Sequence, residues 1–173
     1  VFINLGIQAY RYAADPFFFS FQERKDTARY MASSFTWFAA AGLFALVAIQ
    51  CNLDLILSIF LRKPEFLLAK NAIFYLLLAN LGIGVYYNLS FWYKFSGKTW
   101  WGTIISISGF ALNAGLNFLL VPYFGMEGPA MAFLAGAVFM CLASWYLGRT
   151  AFPVQWEYGK ASILLAAALI CSL

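Results

Sequence analysis

Two charged residues, Arg11 and Asp15, stand four positions apart within residues 9–19 (AYRYAADPFFF), a stretch otherwise apolar enough for a lipid bilayer. Ionisable side chains in hydrocarbon are costly, and where they occur they usually face a bundle interior or a water-filled cavity and mark a pathway. The (i, i+4) spacing lets the two meet on one helical face as a structural ion pair. The other chemistry open to them is anion binding. The Arg11 fork suits phosphate oxygens, with Asp15 holding or counter-charging it. Counting back from the polar run at Gln22 at about 1.5 Å per residue places Arg11 roughly 16 Å deep, near the middle of an apolar core about 30 Å thick. Pro16 removes the hydrogen bond to the Tyr12 carbonyl, so a kink or hinge is expected there.

Three further groups of polar or small residues interrupt apolar sequence. Gly102, Ser106, Gly109, Asn113 and Asn117 recur at steps of three and four and therefore line one helical face. That face either packs closely on a neighbouring helix or exposes Asn113 and Asn117 to an aqueous cavity. Asn80 and Tyr87, seven apart and so on one face, are open to the same two readings, bundle glue or cavity lining. Gly128, Ala132 and Gly136 form a small-xxx-small pattern, read as helix packing.

Catalytic constellations are not apparent. No nucleophile and base pair, carboxylate dyad or Gly-rich phosphate loop can be picked out, and an enzyme is not expected. With no histidine, and with Cys51, Cys141 and Cys171 each alone in apolar sequence, neither a metal site nor a cofactor is expected. The net charge of +4 does not point to nucleic acid, because the eleven basic residues form no continuous stripe. Asp54, Glu127 and Glu157 lie near apolar-run ends and read as solvated loop charges.

The elements that must position these residues follow from composition. At 64% hydrophobic, 20% aromatic and 10% charged, the 173 residues cannot cover a soluble surface, which needs about a quarter of its residues charged. The apolar runs are about 20 residues long and lack period-two alternation, so helices rather than strands are expected. The expectation is an all-α, polytopic transmembrane bundle of about six spans, at 3–21, 30–59, 67–92, 100–121, 128–147 and 160–173, the first and last open to truncation. A tight turn is expected from Pro122 to Glu127. The first, third and fifth loops carry Arg24, Lys25, Arg29, Lys94, Lys98, Arg149 and Lys160; the second and fourth carry Arg62, Lys63 and Lys70. The positive-inside rule puts the first set in the cytoplasm. The chain reads as an internal piece of a larger protein.

Residues 9–19, residues 84–94 (GVYYNLSFWYK) with Gly97-Lys98-Thr99 after them, and residues 117–132 (NFLLVPYFGMEGPAMA) together resemble the C-terminal half of bacterial polysaccharide or lipopolysaccharide biosynthesis flippases. These form the O-antigen-flippase-like branch of the superfamily that also holds the lipid II flippase and the multidrug and toxin extrusion transporters. The resemblance implies one lobe of a two-lobed transporter of twelve to fourteen helices. Such a protein moves an undecaprenyl-pyrophosphate-linked oligosaccharide across the inner membrane by alternating access. Its implied partners are that anionic lipid, membrane lipids and the N-terminal lobe. Arg11 is the position matching the cavity cations that the family is thought to keep for the pyrophosphate. Two other readings stand beside it: a cation-coupled drug or small-solute exporter of the same fold, for which Asp15 is the available carboxylate, and a non-transporting scaffold of a glycan-assembly complex.

Overall fold

The computed structural model describes residues 2–20, 27–60 and 70–151. They form seven α-helices: α1 (Phe2–Ser20), α2 (Thr27–Cys51), α3 (Leu53–Phe60), α4 (Lys70–Leu89), α5 (Phe91–Phe95), α6 (Trp100–Phe124) and α7 (Gly128–Ala151), with a 3-10 turn at Gly125–Glu127. The chain is all-α as expected, with no strand among the described residues.

Three described stretches are long and apolar enough to cross a membrane: Tyr30–Cys51, Lys70–Phe95 and Trp100–Arg149. The third, 50 residues long, folds back on itself as the α6–α7 hairpin. Among the described residues these stretches cover the spans expected at 67–92, 100–121 and 128–147 and most of that expected at 30–59. Helix α1 has 19 residues but is not one of them, because Asn4, Gln8, Arg11 and Asp15 make it too polar. The expected span at 160–173 lies outside the described residues, as do the charged runs 21–26 and 61–69.

The expected boundaries shift where side chains compete with the backbone. The single span expected at 30–59 is broken in two at Asn52, whose amide Nδ2 donates to the Ala48 carbonyl at 2.9 Å. A side chain that takes up a backbone carbonyl offers the chain an exit from the helix. The same competition splits α4 from α5 at Ser90. There Oγ donates to the Tyr87 carbonyl at 2.6 Å, alongside the backbone bond from Ser90 N at 3.2 Å. The turn expected from Pro122 is displaced, since Pro122 is accommodated in the last turn of α6 and the reversal comes at Gly125. Gly125 has φ +52°, in the region that L-residues with a Cβ avoid.

Helix α4 is the hub. It packs against α7 through Gly82, which faces Ala137, and the Cys141 thiol donates to the Gly82 carbonyl at 3.1 Å. Leu81 packs with Leu43 and Leu46 of α2. Gly84 admits the Phe38 ring and Ile7. In the hairpin, a Cβ added to Gly136 would lie 3.2 Å from the Gly109 carbonyl and 3.3 Å from the Asn113 Cβ. Gly128 lies against the backbone of Leu120 and Val121, and Ala132 is fully buried. Among lipids there is little hydrophobic drive between helices, so close contact through small residues is what holds such a pair. The small-xxx-small reading of Gly128, Ala132 and Gly136 is thus realised as the α6–α7 seam.

Polar cross-links gather at the two ends of the bundle. At one end Lys70 Nζ meets Asp54 at 2.7 and 3.0 Å, and Asn71 Nδ2 donates to Glu127 Oε1 at 3.0 Å. Asp54 and Glu127, read from sequence as solvated charges, therefore tie helix ends together. At the other end, called the near side below, Lys94 Nζ donates to Asp15 Oδ1 at 2.9 Å.

Candidate functional site

The site is built where α1 crosses the α4–α5 junction. Adjacent residues of α1 reach adjacent residues of α4. The Arg11 guanidinium lies 4.1 Å from the centroid of the Tyr87 ring, and the Tyr10 hydroxyl donates to Asn88 Oδ1 at 2.6 Å. Ser34 of α2 joins the second contact, its Oγ 2.8 Å from the Tyr10 hydroxyl. Asn88 is held by its own Nδ2, which donates to the Gly84 carbonyl at 3.1 Å. The polar groups around Tyr10 are thus mutually satisfied, and they fix the α1 register beside Arg11.

The Ser90 break directs α5 so that Lys94 reaches Asp15 and also sits 4.8 Å from the Phe91 ring centroid. The junction is anchored from behind. Trp92 Nε1 donates to Ser144 Oγ at 3.1 Å, and Ser144 Oγ donates to the Leu89 carbonyl at 3.2 Å. Both Trp92 and Ser144 are buried.

Asp15 is the ion-pair partner of Lys94, not of Arg11, which corrects the pairing expected from the (i, i+4) spacing. The physical reason is competition. A flexible Lys on the facing helix reaches the carboxylate directly, while the Arg11 plane is drawn to the Tyr87 face, where a guanidinium stacks well. Among the described residues, Arg11 has one hydrogen bond, from Nη1 to Gln8 Oε1 at 3.3 Å. Its Nε is enclosed with no hydrogen-bond partner. Since Asp15 and Lys94 neutralise each other, the charge left over in the site among the described residues is that of Arg11. A half-buried guanidinium with unused donors and one face desolvated by an aromatic ring is equipped to take a multi-oxygen anion.

The contacts of Tyr10 set the level of Arg11 along the neighbouring helices. Tyr10 is level with Ser34 and Phe38, four and eight residues inside the start of the Tyr30–Cys51 stretch, or about 6–12 Å at 1.5 Å per residue. Arg11 is one residue nearer that end. It therefore lies in the near-side half of the membrane-length helices rather than at their midpoint.

The other candidates sit elsewhere. Asn80 is about 10 Å along α4 from Tyr87 at 1.5 Å per residue, and its Nδ2 donates to the Leu76 carbonyl on its own helix. Asn117 Nδ2 donates to the Asn113 carbonyl at 2.9 Å and to Asn113 Oδ1 at 2.8 Å. Asn113 is on the glycine seam with α7, so these amides serve the hairpin and are not grouped with Arg11. Ser106 Oγ is 3.4 Å from the Tyr86 hydroxyl, and Gly102 lies against the Tyr93 ring, which places the rest of that α6 face against α4 and α5. Pro16 stands inside α1, with the helix continuing to Ser20.

Lys94, Gln8, Tyr10 and Ser34 belong to the site but are not singled out by sequence reasoning. Gln8 carries a signal, being three residues before Arg11 and so on its face. Lys94 carries none beyond its place after an aromatic run.

Among the described residues no group of His, Cys, Asp and Glu is arranged to hold a metal ion. Compared with family models, curated proteins and solved structures, the chain finds no match.

Proposed function

We propose that the chain is the C-terminal lobe of a flippase that moves an undecaprenyl-pyrophosphate-linked oligosaccharide across the bacterial inner membrane by alternating access, with Arg11 as a pyrophosphate contact. The observation that carries this reading is the Arg11 charge, which has no carboxylate partner among the described residues and is stacked on Tyr87 with donors unused, in a helix packed among membrane-length helices. Supporting it, two of the sequence stretches that resemble such flippases meet in space. Arg11 with Tyr87, Tyr10 with Asn88 and Asp15 with Lys94 all join residues 9–19 to residues 84–94.

In this reading the near side is cytoplasmic, where Lys94, Lys98 and Arg149 lie; the opposite end holds Lys70 with Asp54 and Glu127. The lipid headgroup enters from the near side and exchanges water for the Arg11 fork. The Asp15–Lys94 pair ties α1 to α5 and positions that fork. An exporter of cations would need a free carboxylate, and Asp15 is engaged by Lys94.

The test is made in the full-length protein in its own cell. Arg11→Ala abolishes surface polysaccharide while the protein remains inserted, and Arg11→Lys restores part of it. Normal polysaccharide with Arg11→Ala refutes the role of Arg11.

A further inference from the structure

Away from Arg11, two more cations, Lys98 and Arg149, have no carboxylate partner among the described residues, whereas Lys70 and Lys94 each hold one. Both are exposed, and both stand at the near-side end of the α6–α7 hairpin. Lys98 comes two residues before α6 begins, and Arg149 lies in the last turn of α7. Because the two helices run antiparallel through the glycine seam, these ends lie side by side.

Each cation is held in place. Gly97, at φ +67°, ends α5 in a Schellman turn, in which Lys98 N donates to the Tyr93 carbonyl at 3.0 Å and Gly97 N to the Lys94 carbonyl at 3.3 Å. The Arg149 guanidinium lies 4.4 Å from the centroid of the Tyr146 ring. Helix α5 links the two positions. Trp92 is bonded to Ser144, its ring packs against Gly148 beside Arg149, and its centroid is 6.5 Å from that of Trp101, whose N–H donates to the Lys98 carbonyl at 3.1 Å. Indoles therefore stand between the cations, and the exposed Trp100 ring stacks on Trp101 at 4.4 Å. Ile104 and Ile107, at steps of four and three from Trp100, continue its exposed face as apolar surface away from the near side.

We propose that this rim is a binding site for a phospholipid with two phosphates in one headgroup, of the diphosphatidylglycerol type. The Arg149 fork takes one phosphate, Lys98 the other, and the acyl chains lie on the apolar α6 face below Trp100. Charge complementarity sets the sign of the ligand, and exposed indoles at headgroup level make it a lipid rather than a free anion. The number of cations sets the number of phosphates. A single phosphate on Arg149 leaves Lys98 unmatched, while a second phosphate tethered to the first reaches Lys98 as an intramolecular contact, without the cost of holding another molecule. The site stands apart from the reading of Arg11 and does not depend on it.

The purified, delipidated full-length protein is titrated in detergent with diphosphatidylglycerol, and separately with phosphatidylglycerol at equal phosphate, and bound lipids are counted by native mass spectrometry. Diphosphatidylglycerol should fill one site more tightly than phosphatidylglycerol. Lys98→Gln and Arg149→Gln should each weaken it about fivefold and the double variant about 25-fold, bringing it down to the level of phosphatidylglycerol. Lys98→Arg and Arg149→Lys, which keep the charges, should retain most of the binding. Lys70→Gln, at the opposite end of the bundle, should leave it unchanged, and inorganic pyrophosphate should not displace the lipid. The inference is overturned if phosphatidylglycerol binds equally well, if the double variant keeps the parent affinity, if Lys70→Gln weakens binding as much as the rim variants do, or if inorganic pyrophosphate empties the site.

Discussion

Replacing Asp15 by Asn, Lys94 by Gln, and both together measures which cation the carboxylate serves. The N–O distance of 2.9 Å and side-chain exposures of 22% for Lys94 and 34% for Asp15 place the pair between two known regimes. Exposed pairs contribute about 0–1 kcal/mol, while removing one partner of a buried pair costs about 3–5 kcal/mol. Each single change should cost about 1–3 kcal/mol. The lower half of that range is expected for Asp15→Asn, because Lys94 keeps its place over the Phe91 ring. The coupling between positions 15 and 94 should then be about 1–2 kcal/mol, at the upper end of what interhelical contacts in membrane proteins give. The assay is reversible unfolding of the full-length protein in mixed micelles, followed by tryptophan fluorescence. The same cycle run on Asp15→Asn with Arg11→Gln should give coupling within about 0.5 kcal/mol of zero, as for sites that share no partner. A coupling of position 15 to 11 that exceeds its coupling to 94 would refute the pairing and return Asp15 to Arg11.

Other consequences bear on the frame around the site. Gly136→Leu drives a side chain into the Gly109 carbonyl and Asn113, and should destabilise by about 1–3 kcal/mol in thermal unfolding. Gly115→Leu, on the same hairpin with nothing within 4 Å, should stay within about 0.5 kcal/mol of the parent. Trp92→Phe removes the donor to Ser144 and should cost about 1–3 kcal/mol by the same measurement. Asn113→Cys, in a chain whose native cysteines are replaced, should resist a water-soluble thiol reagent, because position 113 faces the α7 seam; rapid labelling would make that face a cavity wall.

The helical class and the α6–α7 seam were legible in sequence because each depends on local spacing or composition, and Arg11 stood out for the same reason. Small residues four apart at Gly128, Ala132 and Gly136 can only pack, and a charge in an apolar run needs a reason. The breaks at Asn52 and Ser90 were not legible, since both rest on one side chain bonding a carbonyl of its own helix, a choice that tertiary contacts decide. The partner of Asp15 could not be chosen from sequence, because (i, i+4) spacing permits an ion pair without ranking it against a Lys 79 residues away. Counting along α1 alone could not give its offset from its neighbours, because it takes that helix to start at the interface. The match of Tyr10 with Ser34 and Phe38 shows how α1 is offset against α2.

Affinity of the purified full-length protein for undecaprenyl pyrophosphate, with and without Arg11→Ala, tests the central claim most directly. A charge-assisted hydrogen-bond contact is worth about 1.5–3 kcal/mol, so the substitution should weaken binding about 10- to 150-fold at 25 °C, with Arg11→Lys between the two. Equal affinity for the parent and Arg11→Ala proteins, both folded by thermal unfolding, would contradict the assignment of Arg11 as the anion contact.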